Sequence, residues 1–164
     1  MEGSLTDGSG AEGIQAAGVD SAGPCGTTSK SYGEYLGEMT SVADAERLGL
    51  ALALEREHPE QPLALASDSQ AAISTLRSLS KGAPPRSGIE VRLKDALSRR
   101  TGEPGALWVR RHIGIASNER ADRKANLTRV IGNAHGDPGL TTFEGLREKG
   151  RSRRADARTA PGFG

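Results

Sequence analysis

The chain has 164 residues, enough for one domain with a buried core and some length left for tails. Its 22 basic and 21 acidic residues leave a net charge of +1, which neither announces nor excludes a nucleic-acid partner, because local charge decides contact with phosphates. No apolar run approaches the ~20 residues that span a bilayer, so no membrane role is expected, and the start, Met1-Glu2-Gly3-Ser4, lacks the basic and apolar parts of a secretory signal.

One cysteine, Cys25, cannot form an internal disulfide, which points to a reducing intracellular setting without choosing nucleus or cytoplasm. Leu5 and Thr6 read as the end of a short first strand closed by Asp7, with Gly8-Ser9-Gly10 turning the chain into a hairpin. Gly13 to Asp20 alternates weakly as a second strand. Ser21 to Ser31 is turn-like, and Tyr32 to Gly37 reads as a third, edge-like strand.

A helix starts near Thr40 or Ser41, where Ser41 and Asp44 resemble a capping box. Its body, Ala43 to Arg56, is rich in Ala and Leu, and Pro59 and Pro62 stop it. Leu63-Ala64-Leu65-Ala66 suits a strand covered on both faces. Ser67-Asp68-Ser69 leads into a second helix, Gln70 to Leu79, and Gly82, Pro84 and Pro85 break it. A third helix runs from Gly88 to Arg100. Ala106 to Val109 is a buried strand, and a last helix starts near Ser117 and carries Ala121, Ala125 and Leu127. A hairpin followed by strand–helix crossovers predicts an α/β chain: a mixed sheet with helices on its faces. From Thr128 onward Gly, Pro, Arg and Asp dominate. Residues 1–127 are therefore expected to fold and residues 128–164 to form a basic, mostly disordered tail.

Four acids occupy predicted core elements. Asp7 and Asp68 end strands, where open α/β sheets place their sites. Asp122 lies near the start of the last helix. Glu46 has Gly49, Leu50 and Ala53 at i+3, i+4 and i+7, so it projects from the stripe that faces the sheet, with Asp44, Arg47, Glu55 and Arg56 on the outer side. A charge on a buried stripe is costly unless paired or metal-bound. Each acid also has a plainer reading: Asp7 as a turn residue, Asp68 as a helix N-cap, Asp122 as a surface charge, Glu46 reaching solvent from the stripe edge. As a set they can converge at one end of one sheet. Oxygen-only ligands favour magnesium or manganese, and two such ions ~4 Å apart serve in-line attack on a phosphodiester. Zinc is disfavoured, since His58, His112 and His135 are scattered and Cys25 is alone.

The segments Thr6-Asp7-Gly8-Ser9-Gly10, Asp44-Ala45-Glu46-Arg47-Leu48-Gly49-Leu50, Ser67-Asp68-Ser69-Gln70-Ala71-Ala72-Ile73, Trp108-Val109-Arg110-Arg111-His112-Ile113-Gly114-Ile115 and Asn118-Glu119-Arg120-Ala121-Asp122 resemble, in order, the motifs of type 1 ribonuclease H. They are most similar to the version at the end of the reverse transcriptase of fungal non-LTR retrotransposons. The resemblance covers roughly residues 4–127.

It implies a ribonuclease H-like fold, a five-stranded mixed sheet of order 3-2-1-4-5 with helices on both faces. It implies an endonuclease that hydrolyses the RNA strand of RNA–DNA hybrids with two Mg2+ ions, Mn2+ being a substitute. The family's catalytic acids match Asp7, Glu46, Asp68 and Asp122, and its turnover histidine matches His112. Ser69, Gln70 and Asn118 match positions that contact the hybrid or order the site, and Arg111 stands where it can bind phosphate. The expected partner is an RNA–DNA hybrid, and the chain is expected to be a monomer and a piece of a larger reverse-transcriptase polyprotein. The sequence departs from the family at Arg110-Arg111-His112, often Pro-Gly-His, in the short first strand, and in lacking a basic helix between Leu79 and Ile89. The alternatives are a degenerate fragment without activity, a binding module whose acids hold no metal, or a nuclease of the same fold acting on DNA.

Overall fold

The computed structural model describes residues 2–11, 14–22, 29–109 and 116–159. In chain order the elements are β1 (Glu2–Ala11), β2 (Ile14–Ala22), β3 (Ser29–Gly37), α1 (Val42–Arg56), β4 (Leu63–Ser67), α2 (Gln70–Ser80), α3 (Gly88–Ser98), β5 (Gly105–Trp108), α4 (Ala116–His135) and α5 (Phe143–Thr159). The strands form one sheet of order β3-β2-β1-β4-β5. β1, β2 and β3 pair antiparallel, and β4 and β5 join parallel to β1 and to each other. No described helix is long and apolar enough to cross a membrane.

α1 begins where its sequence says it must. Ser41 accepts from the Asp44 backbone N–H (3.1 Å), and the Asp44 carboxylate accepts in return from the Ser41 N–H (2.9 Å), so two otherwise orphaned amides are satisfied. The helix covers one face of the sheet. Leu48, Leu50 and Leu52 are buried together with Val19, Leu65, Leu76 and Leu93 in one continuous cluster. α4 covers the other face. A Cβ placed on Gly18 of β2 would overlap the Ala121 carbonyl, whereas one on Gly49 of α1 would meet the Thr6 side chain at 3.1 Å. Thr6 and Gly18 sit one position apart in the β1–β2 register, so successive positions alternate between the two helices.

Three expectations are corrected. β1 does not end at Asp7: it continues to Ala11, paired with β2 from Gly3↔Ala22 to Ala11↔Ile14, so Gly8-Ser9-Gly10 lies within the strand. Backbone pairing supplies what these side chains lack: β2 pairs with β1 as far as Ala11, while β4 pairs only with Glu2 to Thr6. Residues 128–159 are not a disordered tail: α4 runs to His135, and α5 follows. α5 is tied down by contacts to distant residues. Leu140 donates its N–H to the Leu36 carbonyl (2.7 Å), and Arg47 donates to Glu144 (2.8 Å). Asp44 does not lie on an outer side. It is buried because the Thr142 hydroxyl covers it, donating to its carboxylate at 2.6 Å.

Candidate active site

The parallel register of β1 and β4 sets Thr6 opposite Ser67. Asp7 is the next residue on β1, and Asp68 is the first residue past the end of β4. Two acidic positions therefore follow directly on the last registered pair of the β1–β4 ladder. Asp68 is half-buried. It is not the cap of α2, because Ser69 takes that place, its hydroxyl accepting from the Ala72 N–H at 3.2 Å.

Glu46 comes to the same place from α1. It is 4% exposed, and its Oε1 accepts a hydrogen bond from the Gly8 N–H at 3.1 Å. Gly8 is the residue after Asp7, and a side chain there would crowd the carboxylate: an added Cβ would stand 3.0 Å from both Ala45 Cβ and Glu46 Oε1. The glycine therefore makes room for a carboxylate to rest on the strand backbone, and the charge-assisted bond fixes that carboxylate.

Asp122 arrives from the opposite face. It is exposed on α4, beside the buried Ala121 that abuts Gly18. Gly18 is the register partner of Asp7, so Asp122 and Asp7 belong to the same level of the sheet. Glu46, Asp68 and Asp122 thus approach the stretch of β1 around Asp7 from α1, from just past β4 and from α4. The Asp7 side chain lies outside the described residues. Among the described residues no three His, Cys, Asp or Glu side chains form a ready metal cluster. The donor chemistry suits a hard cation nonetheless, since every acid in the set offers carboxylate oxygen.

The remaining predicted residues divide. Ser69 caps α2, and Gln70 is exposed at its first position. Asn118 falls in the first turn of α4, its side chain outside the described residues. Arg111 and His112 lie outside the described residues altogether.

Sequence reasoning missed Gly8 as the seat of Glu46, and it missed the tie between Asp20 and Arg120. Asp20 is buried on β2. It accepts from Arg120 Nε at 3.0 Å and Nη2 at 2.9 Å, and from the Ser31 hydroxyl at 3.0 Å. The hydrogen bond that Arg120 donates to Asp20 raises the pKa of the guanidinium, so this arginine is always a cation. The pair pins the start of α4 to the sheet two residues before Asp122. No local signal reveals it, since the partners are 100 residues apart in sequence.

No protein-family model and no curated protein matches the sequence. Solved structures do match. A ribonuclease H1 from the halophilic archaeon Halobacterium salinarum NRC-1 superposes with a TM-score of 0.58 at 23% identity, covering 77% of this chain and 96% of that one. At that identity the likeness establishes a ribonuclease H-like fold.

Proposed function

We propose that the protein is a metal-dependent ribonuclease H that hydrolyses the RNA strand of RNA–DNA hybrids, with Asp7, Glu46, Asp68 and Asp122 as its acids. One observation carries the reading: Glu46 is buried against the backbone of Gly8, the residue after Asp7, on the strand whose Thr6 pairs with Ser67 just before Asp68. A carboxylate so buried is costly unless it is hydrogen-bonded and its charge is compensated, which is what a bound divalent cation would supply. The ribonuclease H-like fold and the five ordered motifs support the same reading.

The four carboxylates would hold two Mg2+, with Mn2+ able to substitute; such ions supply Lewis-acid activation of water and neutralise charge at a scissile phosphate. The Gly8 N–H holds Glu46 in place, so no ordering of that side chain is needed when substrate binds. Asp7 and Asp68 each follow directly on the last pair of the parallel ladder, Thr6 and Ser67, which supports their acting together. Asp122 takes its place from the close contact of α4 on β2. His112 assists product release, while Ser69, Gln70, Asn118 and Arg111 contact the hybrid or order the site. The kinship with the retroelement version, the placement in a larger polyprotein and the monomeric state rest on the motifs alone.

The test is cleavage of a labelled RNA–DNA hybrid. The wild-type chain with Mg2+ is expected to cut the RNA strand only, EDTA to stop it, and Asp68→Asn to slow it about a thousandfold. Cleavage of a DNA duplex in preference would assign the DNA-directed alternative. If wild type and Asp68→Asn are equally inert on the hybrid, the enzyme reading is lost. Metal titration followed by the fluorescence of the one tryptophan, Trp108, is a second readout that does not depend on turnover.

A further inference from the structure

Helix α5 concentrates positive charge. It holds six basic residues against three acids, Glu144, Glu148 and Asp156. The whole chain has 22 and 21, so the rest, with 16 basic and 18 acidic residues, is net negative. Any attraction of phosphate at long range therefore leans heavily on this helix.

One side of α5 is tied to the body. Gly145 packs on the Met39 carbonyl, where no Cβ fits, and one turn later Lys149 donates to Glu38 at 2.9 Å. Arg147, Arg151 and Arg154 recur at i, i+4 and i+7 on the opposite side, and Arg158 continues the register. The first three are exposed, and among the described residues none of them has an acidic partner. The anchor reaches the site's own helix, because Thr142 bonds to Asp44, two residues before Glu46. It also lies at the correct end of the sheet: Glu38 and Met39 follow Gly37, which pairs with Gln15, itself the partner of Gly10 beyond Asp7.

We propose that the arginine face of α5 binds the sugar–phosphate backbone of the duplex engaged at the carboxylate site, without reading its sequence. The inference rests on the nuclease reading for the identity of its ligand. Seventeen helical residues extend about 25 Å, enough to follow about seven phosphates of one strand. The helix supplies a basic element that the sequence lacks between α2 and α3.

The experiment uses the full chain and a fluorescein-labelled hybrid, with binding read by anisotropy between 50 and 200 mM salt in Ca2+ and cleavage read separately in Mg2+. The variant is Arg147→Gln/Arg151→Gln/Arg154→Gln, whose melting temperature should match wild type because all three side chains are exposed. Its affinity is expected to fall about tenfold or more, and the log–log salt slope to lose about 3 units. Single-turnover cleavage at saturating hybrid should not change. The corresponding triple Lys variant should restore the slope, since backbone attraction needs only charge. Wild-type affinity and slope in the Gln variant overturn the assignment of α5 and leave the nuclease reading untouched. Loss of binding in the variant of a chain that cleaves nothing supports the α5 surface and overturns the nuclease reading alone. Arginine-dependent binding to anionic vesicles in preference to hybrid overturns the α5 assignment.

Discussion

On one face of the sheet α1 fills space with Leu48, Leu50 and Leu52, all buried. On the other, α4 lies so close to β2 that Gly18 has no room for a Cβ, and the contacts there are made by Ala121 and Ala125. The first face is held by bulk and the second by proximity. Bulk is lost when atoms are removed, and proximity is lost when atoms are added. The acids depend on both: Glu46 is set by the bulky face, and Asp122 by the close one.

The contrast predicts opposite mutational signatures. Leu50→Ala should have the largest effect, destabilising by about 2–5 kcal/mol through lost burial and a residual cavity, as read by urea unfolding. A loss under about 1 kcal/mol would mean that the α1 face relaxes around gaps, and the comparison would break. Gly18→Ala should cost about 1–3 kcal/mol by pushing α4 away, although it adds only a methyl group. Cleavage by that variant should fall further than its stability explains, because Asp122 moves with the helix; unchanged cleavage would separate Asp122 from the site. Ser41→Ala removes one half of the capping box and should cost about 1 kcal/mol, seen as a lower melting temperature. Val130→Gln should do least, within about 0.5 kcal/mol, since Val130 is exposed on the outer side of α4. A larger cost would show that this side is covered.

The parts legible in sequence were those in which local chemistry and tertiary packing agree. Ser41, Asp44 and the following Ala/Leu run announce α1, the two prolines end it, and Leu63 to Ala66 announce β4. β1 was only half legible. Its Gly and Ser residues carry no strand preference, and the strand exists because β4 pairs with its first half and β2 with nearly its whole length. α5 was illegible for a related reason. Its composition favours a solvated chain, and the contacts that fix it, Glu144 to Arg47 and Thr142 to Asp44, join residues 97 and 98 apart. Around the site, the sheet-facing place of Glu46 could be seen as a charge among apolar neighbours at helical spacing. The bare strand position that receives it could not, because nothing in Thr6-Asp7-Gly8 distinguishes a turn glycine from one that seats a carboxylate.

The hydroxyl that covers Asp44 belongs to Thr142, 98 residues further along the chain. During synthesis, α1 therefore leaves the ribosome with its first turn uncovered and is sealed only after β5 and α4 have emerged. At translation speeds of about 5–20 residues per second this leaves an interval of several seconds. Throughout it, the helix that carries Glu46 depends on its own capping box alone to stay wound at that end.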